Sequence, residues 1–594
     1  MMRNHSCGKL TQAEVGQEVL LCGWVKRNRN LGGITFLDMW DRGGTVQVIF
    51  DPNLDERLHR QAVKLRAEDV IQVRGSVRLR PKKDRNPDMA TGEVEVLASE
   101  LKMLADSATP PFELVGDEDI SEDLRLKYRY LDLRRPRLQR NIIFRHQVIK
   151  AIRDYMDEVG FIEIETPILT KSTPEGARDY LVPSRIYHGR FYALPQSPQM
   201  YKQLLIMAGF DRYFQIARCF RDEDSRADRQ AEFTQLDIEA AFVDEEDIYL
   251  LMEGLLGYVF KECMDLELVQ PFPRLTFDEV IAKYGTDKPD LRFGMELWEA
   301  TEAFAGVEAD FIAKIIAEGG SFIGLTVPGG VEFSRKERDE LERLAKKLGA
   351  GGLIQLKWKG DKLEGALAKF IDRGAKERLL EVSGASDGDL IVAVGGQLSK
   401  SQEVMGQIRL ALGERLELVK SDDFKWLWVT DFPLFELADG VINSSHHPFT
   451  APREEDIPLL DSDPLKVYAR HYDLVLNGVE LGSGSVRIHD AVVQRKIFNL
   501  LGLSDEEVEE RFGFFLEAFS YGCPPHAGIA PGLDRMIAVM LGEFSIREVI
   551  PFPKTLRAAS LMTSSPSSVD EAQLDELGIA LKPKGEKKPE DKGK

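Results

Sequence analysis

Residues 18–104 can adopt few folds. Short β-rich runs at 18–25, 33–39 and 45–50 are separated by Gly, Asn and Asp turns. A charged stretch at 55–66 has the apolar spacing of a helix, and strand-like runs return at 70–79 and 93–97. Strands this short bury little as an open sheet, so closure into a small barrel is the economical solution. Five strands with one helix between the third and fourth is the order of an OB-fold, although other small barrels share the pattern. Barrels of this kind bind single-stranded nucleic acid through exposed aromatic and polar side chains on their strands.

The whole chain has 594 residues, which at ~150 residues per domain is room for about four modules. With 43% hydrophobic and 30% charged residues it has the composition of a globular protein with several cores. No run approaches the ~20 apolar residues of a membrane span, and the N-terminus lacks the apolar segment of a signal peptide. Cys7, Cys22, Cys219, Cys263 and Cys523 are scattered without a C-x-x-C pair. That argues against a disulfide framework or a zinc site and fits a reducing cytoplasm. The net charge of −21 taken alone speaks against a nucleic-acid partner. Basic residues nevertheless cluster at Arg78, Arg80, Lys82, Lys83 and Arg85, and again from Arg125 to Arg140, where only Asp132 opposes them. Each cluster suits phosphates, a solvated face, or ion pairs between domains.

Beyond the barrel domain (1–107) the pattern reads as a linker (108–137), then a long amphipathic helix over 138–159 ended by Gly160 and a strand over 161–169. The first part of a large domain spans 138–290. An inserted α/β domain spans 291–420, with helical segments at 296–305, 311–318 and 335–348 and a strand at 390–394. The large domain resumes over 421–565 and ends near a helix at 533–541. The extension 566–594 ends in a Lys/Glu/Pro/Gly-rich stretch expected to be disordered.

The chemistry concentrates in a hairpin. An apolar run at 213–217 leads into Cys219-Phe220-Arg221-Asp222-Glu223, a polar turn follows, and Phe233-Thr234-Gln235-Leu236-Asp237 resumes strand alternation. Arg221, Arg226 and Arg229 crowd the loop, and guanidinium groups grip phosphates bidentately. Phe233 offers a ring face for an adenine. A plain surface hairpin with ordinary ion pairs would read the same way. Two further elements change the balance. Gly160-Phe161-Ile162-Glu163-Ile164-Glu165-Thr166-Pro167 passes from helix to strand, and Gly528-Ile529-Ala530-Pro531-Gly532-Leu533-Asp534-Arg535 passes from strand to helix. No Walker A or G-x-G-x-x-G loop competes for a nucleotide.

These elements, in this order, resemble the three motifs of class II aminoacyl-tRNA synthetases. Thr173-Pro174-Glu175-Gly176-Ala177-Arg178-Asp179-Tyr180, Gln196-Ser197-Pro198-Gln199 with Lys202, His446-His447-Pro448-Phe449-Thr450 and Gly484-Ser485-Val486-Arg487-Ile488-His489 narrow the resemblance to bacterial-type aspartyl-tRNA synthetases. It covers nearly the whole chain. The resemblance implies a multidomain α+β protein: an OB-fold β-barrel, a class II antiparallel-sheet catalytic domain and an inserted α/β domain. It implies Arg487 and Lys202 for the substrate's side-chain carboxylate, Glu175, Gln199 and Asp237 for its ammonium and surroundings, Ser197 in the same loop, and His446 and His447 closing over the amino acid. For ATP it implies Arg221 at the α-phosphate, Arg535 at the γ-phosphate, and contacts from Asp222, Glu223, Gln230, Phe233, Glu480, Gly532, Leu533 and Asp534. Asp473 and Glu480 resemble the acids that hold Mg²⁺, a cation suited to carboxylates and retained water.

The implied reaction joins aspartate to ATP, with Arg221 and Arg535 as the catalytic cations, and passes the aspartyl group to tRNA-Asp. No protein nucleophile is needed, and no general base for the second step is evident. In the barrel, Phe36 and Gln47 match anticodon-reading positions, with Arg27, Arg29 and Glu93 as further candidates. Leu31, with Lys82 and Lys83, resembles the form that charges tRNA-Asp alone; the alternative form also charges tRNA-Asn. Pro167 falls where the class places its two-fold axis, which implies a homodimer. Asparaginyl and lysyl enzymes share the architecture, but Arg487 with the His446–His447 pair and the large insertion favour aspartate. A noncatalytic nucleic-acid-binding relative would be expected to have lost Arg221, Glu480 or Arg535, and all are present.

Overall fold

The computed structural model describes residues 1–582 apart from 117–118, 174–175, 306 and 421. The expectations placed on Glu175 and on the tail at 583–594 lie outside the described residues. The chain divides into two compact units, Met1–Ser121 and Glu122–Lys594.

The first unit is a closed barrel of β1 (Glu18–Leu31), β2 (Ile34–Asp41), β3 (Gly44–Phe50), β4 (Val70–Leu79) and β5 (Val94–Ala105), in the order β1-β2-β3-β5-β4. Helix α1 (Glu56–Ala62) lies between β3 and β4, where the sequence places it. The first and last strands run longer than their apolar patterns, because pairing with neighbours continues past the last core residue. Strand alternation sends Leu37 and Met39 into the core and leaves Phe36 and Asp38 on the outer face.

In the second unit, α2 (Pro136–Glu158) precedes β6 (Ile162–Glu163), which is all that forms of the strand expected over 161–169. Pro167 cannot donate to a ladder, and Ile168 and Leu169 stay exposed beyond it. Helix α3 (Gln199–Met207), strands β7 (Arg212–Phe220) and β8 (Glu232–Ala241), helix α4 (Glu245–Met264), strand β9 (Arg274–Thr276) and helix α5 (Phe277–Tyr284) follow. The insertion contributes β10 (Trp298–Glu299), β11 (Ser321–Val327), β12 (Ile354–Lys359), β13 (Lys362–Glu364) and β14 (Leu390–Gly396), in the order β10-β11-β14-β12-β13. Its helices are α6 (Asp310–Ala317), α7 (Arg335–Lys347), α8 (Arg373–Ser383) and α9 (Leu398–Arg415). The helix expected over 296–305 is instead β10 and a single turn at Thr301–Phe304, because Trp298 pairs with Gly324 and its indole covers the space a side chain there would fill.

After the insertion come β15 (Trp426–Thr430), β16 (His471–Leu476), β17 (Val479–Val486), β18 (His526–Pro531) and α10 (Leu533–Leu541). They complete an eight-stranded sheet, β9-β15-β16-β17-β18-β8-β7-β6, antiparallel except at its two ends. One face packs Leu236, Ile238, Tyr472, Leu474 and Ile529 against apolar residues of α2, α4 and α10. The opposite face of β8, β16 and β17 carries the polar residues of the next section.

The second basic cluster is spent internally. Arg125 pairs with Asp132 and Glu548, Arg137 with Glu543 and Glu548, and the buried Arg129 reaches Asp132 and the carbonyls of Arg547, Ile550 and Pro551. These bonds tie the segment ahead of α2 to the region after α10. In the first cluster Arg80 is buried against the Val94 carbonyl, Arg78 pairs with Glu95 and Arg85 with Glu93, while Lys82 and Lys83 stay exposed.

Candidate active site

Alternation along β8 places Gln235, Asp237 and Glu239 on the side of the sheet opposite Leu236 and Ile238. Lys202, from α3, reaches across to them: its Nζ is 2.5 Å from Asp237 Oδ1 and 3.2 Å from Glu239 Oε2. Arg487, just after β17, meets Glu239 through Nε and Nη2 at 2.9 and 3.1 Å and donates from Nη1 to Ser485 Oγ at 2.7 Å. All four charged side chains are buried, at 6% exposure or less. Two cations facing two carboxylates make a neutral quartet, the arrangement that lets charges leave water without a prohibitive penalty. The Asp237 carboxyl is pushed up by burial, with Lys202 opposing. Burial would do the same to Glu239, but Arg487 and Lys202 outweigh it and hold that carboxyl at about 2. Asp237 Oδ2 is buried without a hydrogen-bond partner.

The quartet lies beside a cleft of about 870 Å³ lined by Lys202, Arg487, Ser197, Gln199, His446, His447, Arg221, Glu223, Gln230, Phe233, Glu480, Gly532, Asp534 and Arg535, among others. The structure thus gathers most of the residues singled out from sequence, although they span 339 positions from Ser197 to Arg535 by their numbers. Arg221 leans over the Phe233 ring, 5.1 Å from its centroid, so one ring face is already covered by a cation. Arg535 donates to the Glu480 carbonyl and lies 3.3 Å from Asp228, and its Nε is buried and unpaired. The Gln230 side chain accepts from the Lys554 main chain, and Glu223 pairs with Arg229 at 2.5 Å.

Of four further expected contacts only Asp534 belongs to the cleft lining, and its carboxylate is already engaged. The Leu533 side chain is in the hydrophobic core, because it starts the helix on the side that packs on the sheet. The Asp534 carboxylate is held by the Thr234 amide at 2.7 Å and by Arg145, which makes it a brace between β8, α2 and α10. Asp222 is exposed, its main chain bridged to Arg178. Asp473 is buried behind the cleft lining, 2.9 Å from His471 Nε2.

His446 and His471 stack at 3.5 Å between ring centroids, with Phe432 edge-on to both. Burial takes both imidazoles down to about 3, and takes His447 well below its usual value with Arg487 and Lys202 adding to the effect. All three are therefore neutral near pH 7. Asp473 is raised to about 6 by burial, and Glu480 is raised first by the charge of Asp473 and then by burial. Glu480 faces the cleft with Asp473 buried behind it, and two neighbouring carboxylates that resist simultaneous ionisation are oxygen donors suited to a hard divalent cation. Among the described residues no three His, Cys, Asp or Glu side chains converge as a complete cage.

In the barrel, Phe36 and Arg29 are directly opposed across β1 and β2 on the outer face. Arg29 pairs with Asp38 at 2.8 Å, Gln47 donates to Glu95 at 3.0 Å, Glu93 accepts from Gln12, and Arg27 and Leu31 are exposed.

Residues 121–556 match the family of class II tRNA synthetases (D, K and N), and residues 19–104 match the OB-fold nucleic acid binding domain. The chain belongs to the class II synthetase family. Its relatives include the aspartate–tRNA(Asp/Asn) ligase of Moorella thermoacetica, 51% identical over 97% of this chain and 96% of that one. The aspartate–tRNA(Asp/Asn) ligase of Anoxybacillus flavithermus and the aspartate–tRNA ligase of Macrococcus caseolyticus are each 48% identical over 98% of both chains. The asparaginyl-tRNA synthetase of Pyrococcus horikoshii, solved with asparaginyl-adenylate, shares the fold with a TM-score of 0.60 at 21% identity, covering 93% of this chain and 99% of that one.

Two buried polar residues at the cleft, Glu239 and His471, escape a motif-based reading. Glu239 was detectable, since it continues the Gln235, Asp237 face of β8. His471 shares the face of Asp473 by the same alternation. Glu239 also supplies a pH signature. Its carboxyl lies below its ordinary value of 4.5, so its contribution to stability is fully present above about pH 4.5 and is lost as pH falls toward 2. Acid unfolding followed by circular dichroism should show Glu239→Gln less stable than the parent at neutral pH, with a shallower loss between pH 4.5 and 2. Parallel curves would show that the carboxylate carries no such linkage.

Proposed function

We propose that the protein is an aspartate–tRNA ligase that activates L-aspartate with ATP and transfers it to tRNA-Asp. The observation that carries this reading is a buried pair of cations, Arg487 and Lys202, in the same cleft as Arg221 and Arg535. A free aspartate has two carboxylates and an ammonium. Arg487 and Lys202 suit its side-chain carboxylate, and the unpaired Asp237 Oδ2 suits its ammonium. Arg487 and Lys202 offer only donors, so an amide nitrogen in place of a carboxylate oxygen would set donor against donor. Gln199, Ser197 and the neutral His446 and His447 complete the wall.

Arg221 and Arg535 are the catalytic cations. With the α-carboxylate of aspartate in line with the α-phosphorus, the new O–P bond forms as the bond to pyrophosphate breaks, and Arg221 offsets charge at the α-phosphate. Arg535 holds the far end of a bent triphosphate, and Phe233 keeps a ring face for the adenine. Asp473 and Glu480 would hold Mg²⁺, which supplies further charge neutralisation at the phosphates. In the second step the terminal ribose hydroxyl of tRNA attacks the aspartyl carbonyl and AMP leaves. The barrel presents Phe36 for stacking on an anticodon base, with Gln47, Arg27, Arg29 and Glu93 around it.

Exposed Leu31 at the tip of β1, with Lys82 and Lys83, supports restriction to tRNA-Asp. The second reading, charging of tRNA-Asn as well, is favoured by the names of the Moorella and Anoxybacillus relatives. We place the enzyme in the cytoplasm as a homodimer. The exposed apolar side chains Ile162, Ile168 and Leu169 at the sheet edge by Pro167 suit a two-fold contact; a monomeric mass by light scattering at micromolar concentration would exclude it.

Purified protein is expected to catalyse aspartate-dependent ATP–pyrophosphate exchange, and no exchange would sink the enzyme reading. Arg487→Ala should lower kcat/KM for aspartate by roughly two to three orders of magnitude with the KM for ATP retained. Activity near the parent's would show the carboxylate contact to be misassigned. Charging assays should load tRNA-Asp efficiently and tRNA-Asn poorly. Comparable kcat/KM for the two would establish the broader specificity.

A further inference from the structure

The chain leaves the catalytic sheet for the insertion through residues 284–295 and returns to β15 through residues 416–425, and α9 packs directly on the outgoing stretch. Arg409 of α9 is 1% exposed. Its guanidinium donates to the carbonyls of Met295, Asp290, Phe293 and Gly294 at 2.8–3.0 Å, with the Tyr284 and Phe293 rings against it. Main-chain acceptors gathered around one buried guanidinium fix the path of the stretch, since losing it would leave the buried carbonyls of Asp290 and Phe293 without this donor. The backbones also touch. A Cβ on Gly285, whose φ is +67°, would stand 2.1 Å from the Gln402 carbonyl oxygen, and one on Gly406 would stand 2.7 Å from that of Tyr284. No flexible side chain lies between to absorb a shift.

The far side of this stretch faces the nucleotide end of the cleft. Asp290, clamped by Arg292 at 2.6 Å, lies against Gly478, the turn between β16 and β17 on which Glu480 stands. Lys288 extends into the cleft lining. Its Nζ is 3.4 Å from Asp287 and 4.0 Å from Glu480, and its side chain is 46% exposed. Both separations exceed those of a charge-assisted hydrogen bond, so the ammonium is loosely held. Arg221 and Arg229 come from the β7–β8 hairpin and Arg535 from α10. Lys288 is a cation that enters from the insertion's side.

We propose that Lys288 contacts the β- and γ-phosphates of ATP, and that Arg409 is the positioning residue that keeps it there. The insertion thereby reaches the nucleotide site through one buried guanidinium. Before ATP binds, the ammonium balances Glu480 and Asp287; with the triphosphate in place it turns to the phosphate oxygens. The identity of the triphosphate rests on the synthetase reading; the geometry of the joint does not.

The test uses full-length protein and calorimetric titration with a non-hydrolysable ATP analogue and with AMP, in magnesium buffer. Lys288→Ala should weaken the ATP analogue by about tenfold, the effect of losing one contact to a charged group, and leave AMP unchanged. In exchange assays the KM for ATP should rise while that for aspartate stays constant. Arg409→Lys should shift ATP in the same direction, and the double variant should match Lys288→Ala alone. Unchanged analogue affinity in Lys288→Ala, or an equal loss for AMP, would overturn the contact; additive losses in the double variant would overturn the role of Arg409. If Arg409→Lys fails to give a cooperative melt, the comparison of ATP analogue with AMP still decides for Lys288. Parent protein that binds ATP but fails to exchange would defeat the synthetase reading and leave this comparison readable.

Discussion

The second unit depends on the buried quartet of Arg487, Glu239, Lys202 and Asp237. Charges this deep are tolerated only in mutual contact, because each left alone would cost several kcal/mol in lost hydration, on the order of the whole stability of a domain. The four residues come from α3, β8 and the end of β17, so the pairing holds only when the sheet has its native order. The same pairing presents oriented cations at the cleft wall. Glu239 occupies one side of Arg487, and Asp237 and Glu239 share Lys202. The cations are thus held in fixed orientations, and under the proposed reading little reorganisation would remain to be done on binding.

The sheet's pleat explains how so polar a site sits on so apolar a core. Along β8, Leu236, Ile238 and Ala240 enter the core beneath α2, α4 and α10, while Gln235, Asp237 and Glu239 face the other way. Along β16, Tyr472 and Leu474 alternate in the same manner with His471 and Asp473. One strand therefore serves stability and chemistry at once. A one-residue slip of register would exchange them, placing carboxylates among leucines. The sequence signal for the site and the signal for the core are the same alternation read in opposite phase.

That is why much of the site was legible in the sequence and some was not. The family resemblance, carried by the three motifs and by the segments at 196–202 and 484–489, singled out Lys202, Arg221, Asp237, Arg487 and Arg535, which the fold brings to one cleft and its wall, and the barrel's strand order needed only its turns. Side-chain direction at a helix start was not legible. Leu533 and Asp534 belong to the same motif as Arg535, yet one enters the core and the other braces Arg145, because a helix turns successive residues about 100° apart. Partners distant in the chain were equally hidden. The arginines around 125–137 looked unopposed because Glu543 and Glu548 lie some four hundred residues away.

Lys288 and Arg409 show the same limit at the joint of the insertion. Nothing in the local pattern distinguishes an arginine on an amphipathic helix from a solvated one. Its role appears only when the chain brings four carbonyls of another segment to its guanidinium. Once they are there, the insertion is more than an appendage looped out of the sheet. α9 holds the stretch that carries Asp287 and Lys288, and that stretch abuts Gly478, in the turn just ahead of Glu480. The acids and the cation facing them are carried by two strands of chain that meet at Gly478. The charge balance around Glu480 and Lys288 is therefore set by packing between domains as well as by the motifs within one.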